Sequence, residues 1–176
     1  GKTSREEVRD AFRSQARSLA EGGVDIFMLE TFGYLEEIHQ AILACRDAAP
    51  EIPVVALVTI DEDGNCLDGS EPETFGAKLT EWGADVVGCN CSVGPVAMLG
   101  ALERVRAVSD PPLAAQPNAG MPRSVDGRNI YLCSPEYMAS YTRKFLAAGV
   151  RLVGGCCGTT PAHINTMAAS LRKAEA

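Results

Sequence analysis

Two hydrophobic patterns alternate along the chain and predict a repeated helix–strand unit. Stretches with apolar residues at every third or fourth position have the period of amphipathic helices, and short unbroken apolar runs have the length of buried strands. The helical pattern covers residues 4–23, 34–49, 72–82, 95–108, 134–149 and 160–174. The strand pattern covers residues 24–30, 53–60, 84–90, 112–118 and 150–155.

Signals at the ends of the predicted helices support these boundaries. Ser4 and Glu7 have the spacing of a capping box, and Gly22 follows the last apolar position of the first helix. Ser134 is a predicted N-cap, and Pro135 occupies the first helical position, where its missing N–H is harmless.

The predicted strands are apolar throughout, as in a parallel sheet covered by helices. Repeated strand–helix units build either an open doubly wound sheet or a barrel. In both folds the functional residues lie at the carboxyl ends of the strands.

Composition narrows the class of protein. The 176 residues carry a formal net charge of −7, and no dense Lys/Arg stretch predicts a nucleic-acid surface. No apolar run approaches the roughly 18 residues of a membrane span, and the start "GKTSREEVRD" has no apolar signal core. An odd number of cysteines, seven, favours a reduced cytoplasmic protein over a disulfide framework.

Three cysteines follow predicted strands directly: Cys91 after the third, and Cys156 and Cys157 after the fifth. Parallel strands would bring them to one rim. Three thiolates with one open position are a catalytic type of zinc site, and zinc held in this way favours the activation of a substrate thiol. Flanking glycines allow the tight turn that adjacent ligands need.

Less specific readings stay open for the cysteines and histidines. One alternative is a strained vicinal disulfide between Cys156 and Cys157, and another is a thiol-redox protein that uses these two cysteines. A third is a structural zinc site, which would need a fourth ligand, and His163 is the nearest candidate. Packing or helix capping is a simpler explanation of His163 than metal binding. For His39, which lies among polar residues, the simplest expectation is a solvated side chain. Burial without reactivity is the simplest role for the remaining cysteines, namely Cys45, Cys66, Cys89 and Cys133.

Four polar residues share the predicted rim with the three cysteines. Glu30 and Thr31 end the first strand, Thr59 ends the second and Asn118 ends the fourth. We expect all four to bind substrate. For Thr59 and Asn118, support of the loops that carry the cysteines and an ordinary strand-end cap are the alternatives. A carboxylate such as Glu30 can pair with a substrate ammonium group.

The segments "GCNCSVGP" (88–95), "QPNAGMP" (116–122) and "GVRLVGGCCGTTPAHI" (149–164) resemble the homocysteine S-methyltransferase family. The resemblance implies a (β/α)8 TIM barrel with zinc bound by Cys91, Cys156 and Cys157. It also implies that Glu30 holds the amino group of L-homocysteine. The implied donor is methylfolate through cobalamin, S-methylmethionine, S-adenosylmethionine or a betaine, and the product is methionine.

The family barrel has eight strands, whereas this sequence predicts five. We therefore expect residues 1–176 to form one N-terminally truncated homocysteine-binding domain that contributes about strands four to eight. The segments resemble most the folate-linked branch of the family, which implies a fused or partner reductase domain. A non-catalytic fragment that binds zinc and homocysteine is the alternative to an active methyltransferase.

Overall fold

The structure, a computed structural model, describes residues 3–172. Within them the chain forms six helices and seven strands. The helices are α1 (Arg5–Glu21), α2 (Leu35–Ala48), α3 (Pro72–Glu81), α4 (Pro95–Arg106), α5 (Pro135–Ala147) and α6 (Pro161–Arg172). The strands are β1 (Phe27–Phe32), β2 (Val54–Val58), β3 (Val86–Asn90), β4 (Leu113–Gln116), β5 (Arg123–Val125), β6 (Arg128–Ile130) and β7 (Val150–Val153).

The predicted helices and strands are confirmed, with small shifts at their ends. β1 begins at Phe27 instead of residue 24 and continues to Phe32, so that Glu30 and Thr31 lie inside the strand. Residues 173 and 174 of the last predicted helix lie outside the described residues. Among residues 3–172, no helix is long and apolar enough to cross a membrane.

The predicted caps are present. The Glu7 amide donates to Ser4 Oγ at 3.2 Å, and the Ser4 amide donates to Glu7 Oε2 at 2.7 Å. Ser134 Oγ accepts from the Tyr137 amide at 3.2 Å at the start of α5. These bonds satisfy amide donors of the first turn that have no partner within the helix.

Five parallel strands form one sheet in the order β1-β2-β3-β4-β7. Its two faces differ. One set of strand side chains joins apolar residues of α1 to α5 in the main core. The opposite face carries a small cluster of strand side chains alone: Val55, Leu57 and Ala114, with Val86 and Leu152 packed against it. Helices therefore cover one face, which is the arrangement of a barrel wall and not of a doubly wound sheet.

A β-hairpin that the hydrophobic pattern did not predict lies between β4 and α5. Its exposed strands β5 and β6 pair antiparallel around Asp126 and Gly127, whose φ angles are 50° and 72°. Two positive φ angles define a type I′ turn, for which Asp-Gly is a strong sequence signal. The hairpin leads directly to Tyr131, which reaches the site described below.

His39 differs from the solvated residue that the sequence predicts. Its ring is half-buried and stacks on Trp82, with 4.0 Å between ring centroids and 9° between planes. Burial lowers the pKa of His39, because the charged ring would lose part of its hydration. His39 thus has a packing role, in which it joins α2 to the end of α3.

Candidate metal and substrate site

Cys91 lies in a tight left-handed turn between β3 and α4. Cys91 and Ser92 have φ angles of 63° and 59°, which non-glycine residues adopt infrequently. The Cys91 amide donates to the Gln116 carbonyl at 3.0 Å, and the Val93 amide donates to the Cys91 carbonyl at 2.7 Å. The first bond extends the β3–β4 pairing by one residue, the second closes the turn, and together they fix the cysteine at the carboxyl end of the sheet.

Cys156 and Cys157 lie in the loop after β7, and the segment after β4 holds that loop. The Cys156 amide donates to the Pro117 carbonyl at 2.9 Å, and the Cys157 amide donates to Asn118 Oδ1 at 3.0 Å. The Cys157 carbonyl accepts from the Ala119 amide at 2.9 Å. Both cysteines are therefore fixed through their backbone, which leaves their side chains free to face Cys91.

The three predicted cysteines meet. Cys91 Sγ lies 3.7 Å from Cys157 Sγ, Cys156 Sγ lies 4.0 Å from Cys157 Sγ, and all three atoms are within 4.8 Å of one another. Tetrahedral zinc with Zn–S bonds of about 2.3 Å separates its sulfur ligands by about 3.8 Å. The spacing of the thiols thus fits one metal ion. Within residues 3–172 no other group of His, Cys, Asp and Glu has this convergence.

The thiols differ in their ionisation because their surroundings differ. Hydrogen bonds from Cys91 and from the Tyr131 hydroxyl lower the pKa of Cys157, since they stabilise its thiolate. Burial, reinforced by Cys91, raises the pKa of Cys156 to about 12. A divalent cation among the three sulfurs would favour the thiolate form of each one.

Tyr131 closes one side of the cysteine cluster. Its ring packs directly on Gly158, which has a φ of 78°, and a Cβ at that position would lie 2.7 Å from Tyr131 Cδ2. Glycine is therefore required here both for its backbone conformation and for the close approach of the ring. Tyr131 was not predicted from the sequence, because the hairpin that leads to it was not predicted.

Thr59 and Asn118 lie at the rim but are engaged with the loops that carry the cysteines. Thr59 is 5% exposed and its hydroxyl hydrogen-bonds the Ser92 hydroxyl, one residue after Cys91. Asn118 is 3% exposed and accepts from the Cys157 amide. Their contacts hold the loops that carry the cysteines, and substrate binding by either residue stays a prediction.

Glu30 and Thr31 lie at the same end of the sheet, on β1. Glu30 is exposed on the helix-free face, two residues after Met28, which pairs in register with Val55. Thr31 has a φ of 65° and exchanges two hydrogen bonds with the side chain of Asn90. Asn90 was not predicted as a site residue, although a polar residue at the end of an apolar strand is a recognisable signal in the sequence.

His163 packs and caps, as expected. Its Nδ1 lies 2.8 Å from Thr160 Oγ1 and accepts from the Thr160 amide at 3.2 Å, and its Nε2 lies 2.9 Å from the Cys133 carbonyl oxygen. The ring is 7% exposed and is absent from the metal-capable group. It joins the start of α6 to the segment before α5.

The remaining cysteines lie outside the cluster. Cys45, Cys66 and Cys89 are buried, and Cys133 is partly exposed. Burial raises the pKa of Cys45 to about 11 and that of Cys66 to about 12, and it also raises the pKa of Cys89 and of Cys133. Thiols with raised pKa values stay protonated near neutral pH, which agrees with their expected lack of reactivity.

Comparisons with known proteins give one consistent result. The family described as homocysteine S-methyltransferase matches residues 1–171. Methionine synthase from Mycobacterium tuberculosis is 37% identical, over 97% of this chain and 15% of that protein. Methionine synthase from Mycobacterium leprae is 35% identical, over 98% of this chain and 15% of that protein.

Solved structures support the same relationship. The apo form of the homocysteine methyltransferase MmuM from Escherichia coli superposes with a TM-score of 0.77 at 26% identity, over 96% of this chain and 57% of that one. Its metallated form superposes with a TM-score of 0.72, over 92% of this chain and 51% of that one. The five-stranded sheet is thus part of a TIM barrel, and the chain spans a fraction of the length of each relative.

Proposed function

Because this chain belongs to the homocysteine S-methyltransferase family, we propose that Cys91, Cys156 and Cys157 hold a zinc ion at which L-homocysteine is methylated to methionine. The observation that carries the proposal is the convergence of three thiol sulfurs within 4.8 Å at the carboxyl end of the sheet. Three soft thiolate ligands favour zinc over the hard cations, which prefer oxygen. A solved relative, MmuM, also exists in a metallated form.

When bound by three thiolates, zinc supplies a Lewis acid that lowers the pKa of a substrate thiol from its ordinary ~8.5 and leaves the sulfur nucleophilic. The protein binds and orients the rest of the amino acid. In the transfer, the homocysteine sulfur forms a bond to the methyl carbon, and the bond from that carbon to the donor breaks with its electrons on the donor. This displacement requires no further base from the protein at the methyl carbon.

Glu30 is the proposed partner of the homocysteine ammonium group. Its carboxylate is exposed on the helix-free face at the same strand ends as the cysteines. Thr31 follows it, and Thr59 and Asn118 steady the loops that carry Cys91 and Cys157. The site thus has one end that binds a thiol, at the metal, and one end that binds an ammonium group, at Glu30. Together these two ends match one thiol amino acid.

The methyl donor is proposed to be methylfolate through cobalamin, S-methylmethionine, S-adenosylmethionine or a betaine. In each of the immediate donors, methylcobalamin included, the methyl group is bound to an atom that leaves readily with the bonding electrons. Incubation of the zinc-loaded chain with homocysteine and each isotopically methyl-labelled donor in turn assigns the donor by the appearance of labelled methionine.

Replacing Glu30 with glutamine tests the ammonium site. We expect the affinity for homocysteine to fall about tenfold, because a charge-assisted hydrogen bond is replaced by a neutral one. The affinity for 4-mercaptobutyrate, which is homocysteine without its amino group, should stay within about twofold. Isothermal titration of the zinc-loaded protein with both thiols measures the two values.

Glu51→Gln is the matched control, since Glu51 is also exposed but precedes β2 at the opposite end of the sheet. It removes the same charge and should leave both affinities unchanged. Equal weakening of homocysteine and 4-mercaptobutyrate by Glu30→Gln would show that Glu30 does not recognise the ammonium group.

A further inference from the structure

Left-handed backbone occurs at one functional residue and directly after another. Thr31, directly after Glu30, has a φ of 65°, and Cys91 has a φ of 63°. A β-branched residue such as threonine rarely adopts this conformation, because its side chain crowds the backbone there. Something in the surrounding structure must therefore hold Thr31 in place.

The side chain of Asn90 holds Thr31 in this conformation through two hydrogen bonds. Its Oδ1 accepts from the Thr31 amide at 2.7 Å, and its Nδ2 donates to Thr31 Oγ1 at 2.8 Å. Both ends of the amide are thus used on one residue, and Asn90 itself is 2% exposed. Asn90 is also the residue directly before Cys91.

The contact crosses the sheet. β1 and β3 are not neighbours, because β2 lies between them, so no backbone ladder joins them. The Asn90 side chain joins their carboxyl ends across the end of β2. The hydroxyls of Ser92 and Thr59 form a second hydrogen bond that ties the same turn to the segment after β2.

We propose that Asn90 is a positioning residue that sets Glu30 relative to Cys91 and so fits the site to the length of one thiol amino acid. It acts by holding Thr31 in the left-handed conformation, which determines the direction of the strand end that carries Glu30. The proposal rests on the proposed function and adds to it the residue that couples the ammonium-binding end to the sulfur-binding end.

The role differs in a measurable way from general structural support. Removal of a residue that only stabilises the fold would lower the affinity for every ligand or for none. A residue that positions Glu30 affects only ligands with an amino group. Its removal also has little further effect once Glu30 is changed, because residues that act through one interaction are not additive.

The experiment is isothermal titration of homocysteine and 4-mercaptobutyrate into the zinc-loaded chain and its variants. We expect Asn90→Ala to lower the affinity for homocysteine about tenfold and the affinity for 4-mercaptobutyrate less than about twofold, with zinc stoichiometry unchanged. In the Asn90→Ala, Glu30→Gln double variant, homocysteine should bind about as in Glu30→Gln alone. Asn165→Ala, which removes an exposed amide from α6, is the control.

Adding Thr31→Gly to Asn90→Ala should restore part of the homocysteine affinity, since glycine adopts positive φ angles without crowding. Should Asn90→Ala fold poorly, Asn90→Asp serves in its place, because aspartate retains the volume and the Oδ1 acceptor. It should lower the affinity for homocysteine more than the affinity for 4-mercaptobutyrate, by a smaller factor than Asn90→Ala. Equal weakening of both thiols, or additive effects with Glu30→Gln, would overturn the positioning role. Absence of homocysteine binding in the unaltered chain would instead overturn the proposed function.

Discussion

Replacing Cys91 with serine is expected to lower the affinity for zinc by at least about a hundredfold. Apparent binding free energies of about 10–16 kcal/mol for four-ligand structural zinc sites correspond to roughly 3 kcal/mol for each ligand. A serine hydroxyl is a poor zinc ligand at neutral pH, and Cys91 Sγ lies 3.7 Å from Cys157 Sγ in the cluster. Zinc competition with a chromophoric chelator measures the loss.

Cys133→Ser is the control for this variant. Cys133 is partly exposed like Cys91, but it lies outside the metal-capable group. It should retain the zinc affinity of the unaltered chain. Retention of zinc by Cys91→Ser, or an equal loss in both variants, would contradict the assignment of Cys91 as a ligand.

Replacing Gly88 with alanine is expected to lower the free energy of unfolding by about 3 kcal/mol or more. Gly88 lies in β3 opposite Ala114 of β4, and a Cβ there would lie 2.8 Å from the Ala114 carbonyl carbon and 2.9 Å from its nitrogen. The obstacle is backbone and cannot rotate away, so the two strands must separate. This is a large part of the roughly 5–15 kcal/mol that stabilises a typical domain.

Gly100→Ala is the matched control within the adjoining helix. Gly100 lies inside α4, and an added Cβ would meet nothing within 4 Å. Alanine is about 1 kcal/mol more favourable than glycine inside a helix, so this variant should be slightly more stable. Urea unfolding of both variants gives the comparison, and a Gly88→Ala midpoint close to that of the unaltered chain would contradict the close approach of β3 and β4.

The hydrophobic pattern was sufficient to predict the six helices and the five strands of the sheet, since each helix has an apolar face of helical period and each strand is a short unbroken apolar run. It was also sufficient to bring Cys91, Cys156 and Cys157 to one rim, because the ends of parallel strands share an edge. The pattern alone left an open sheet or a barrel, and the family resemblance implied the barrel. The side-chain clusters, in which helices cover one face alone, agree with it.

Contacts that depend on the folded backbone could not be predicted in the same way. The Asn90–Thr31 bonds join residues 59 positions apart across an intervening strand, and no local pattern encodes them. The positive φ angle of Thr31 is equally invisible in sequence, because threonine disfavours it. The turn at Asp126 and Gly127 was a readable signal, but its flanking residues are exposed and lack the apolar pattern of a buried strand.

The central claim is that the three thiols hold a zinc ion that binds the substrate thiol, and one titration tests it most directly. Homocysteine is titrated into the zinc-loaded chain and into the reduced, metal-free chain, each in buffers of different ionisation enthalpy. We predict binding only in the zinc-loaded chain, with release of about one proton for each homocysteine bound, because the thiol must ionise to bind the metal. Equal binding to the metal-free chain, or binding without proton release, would contradict the account.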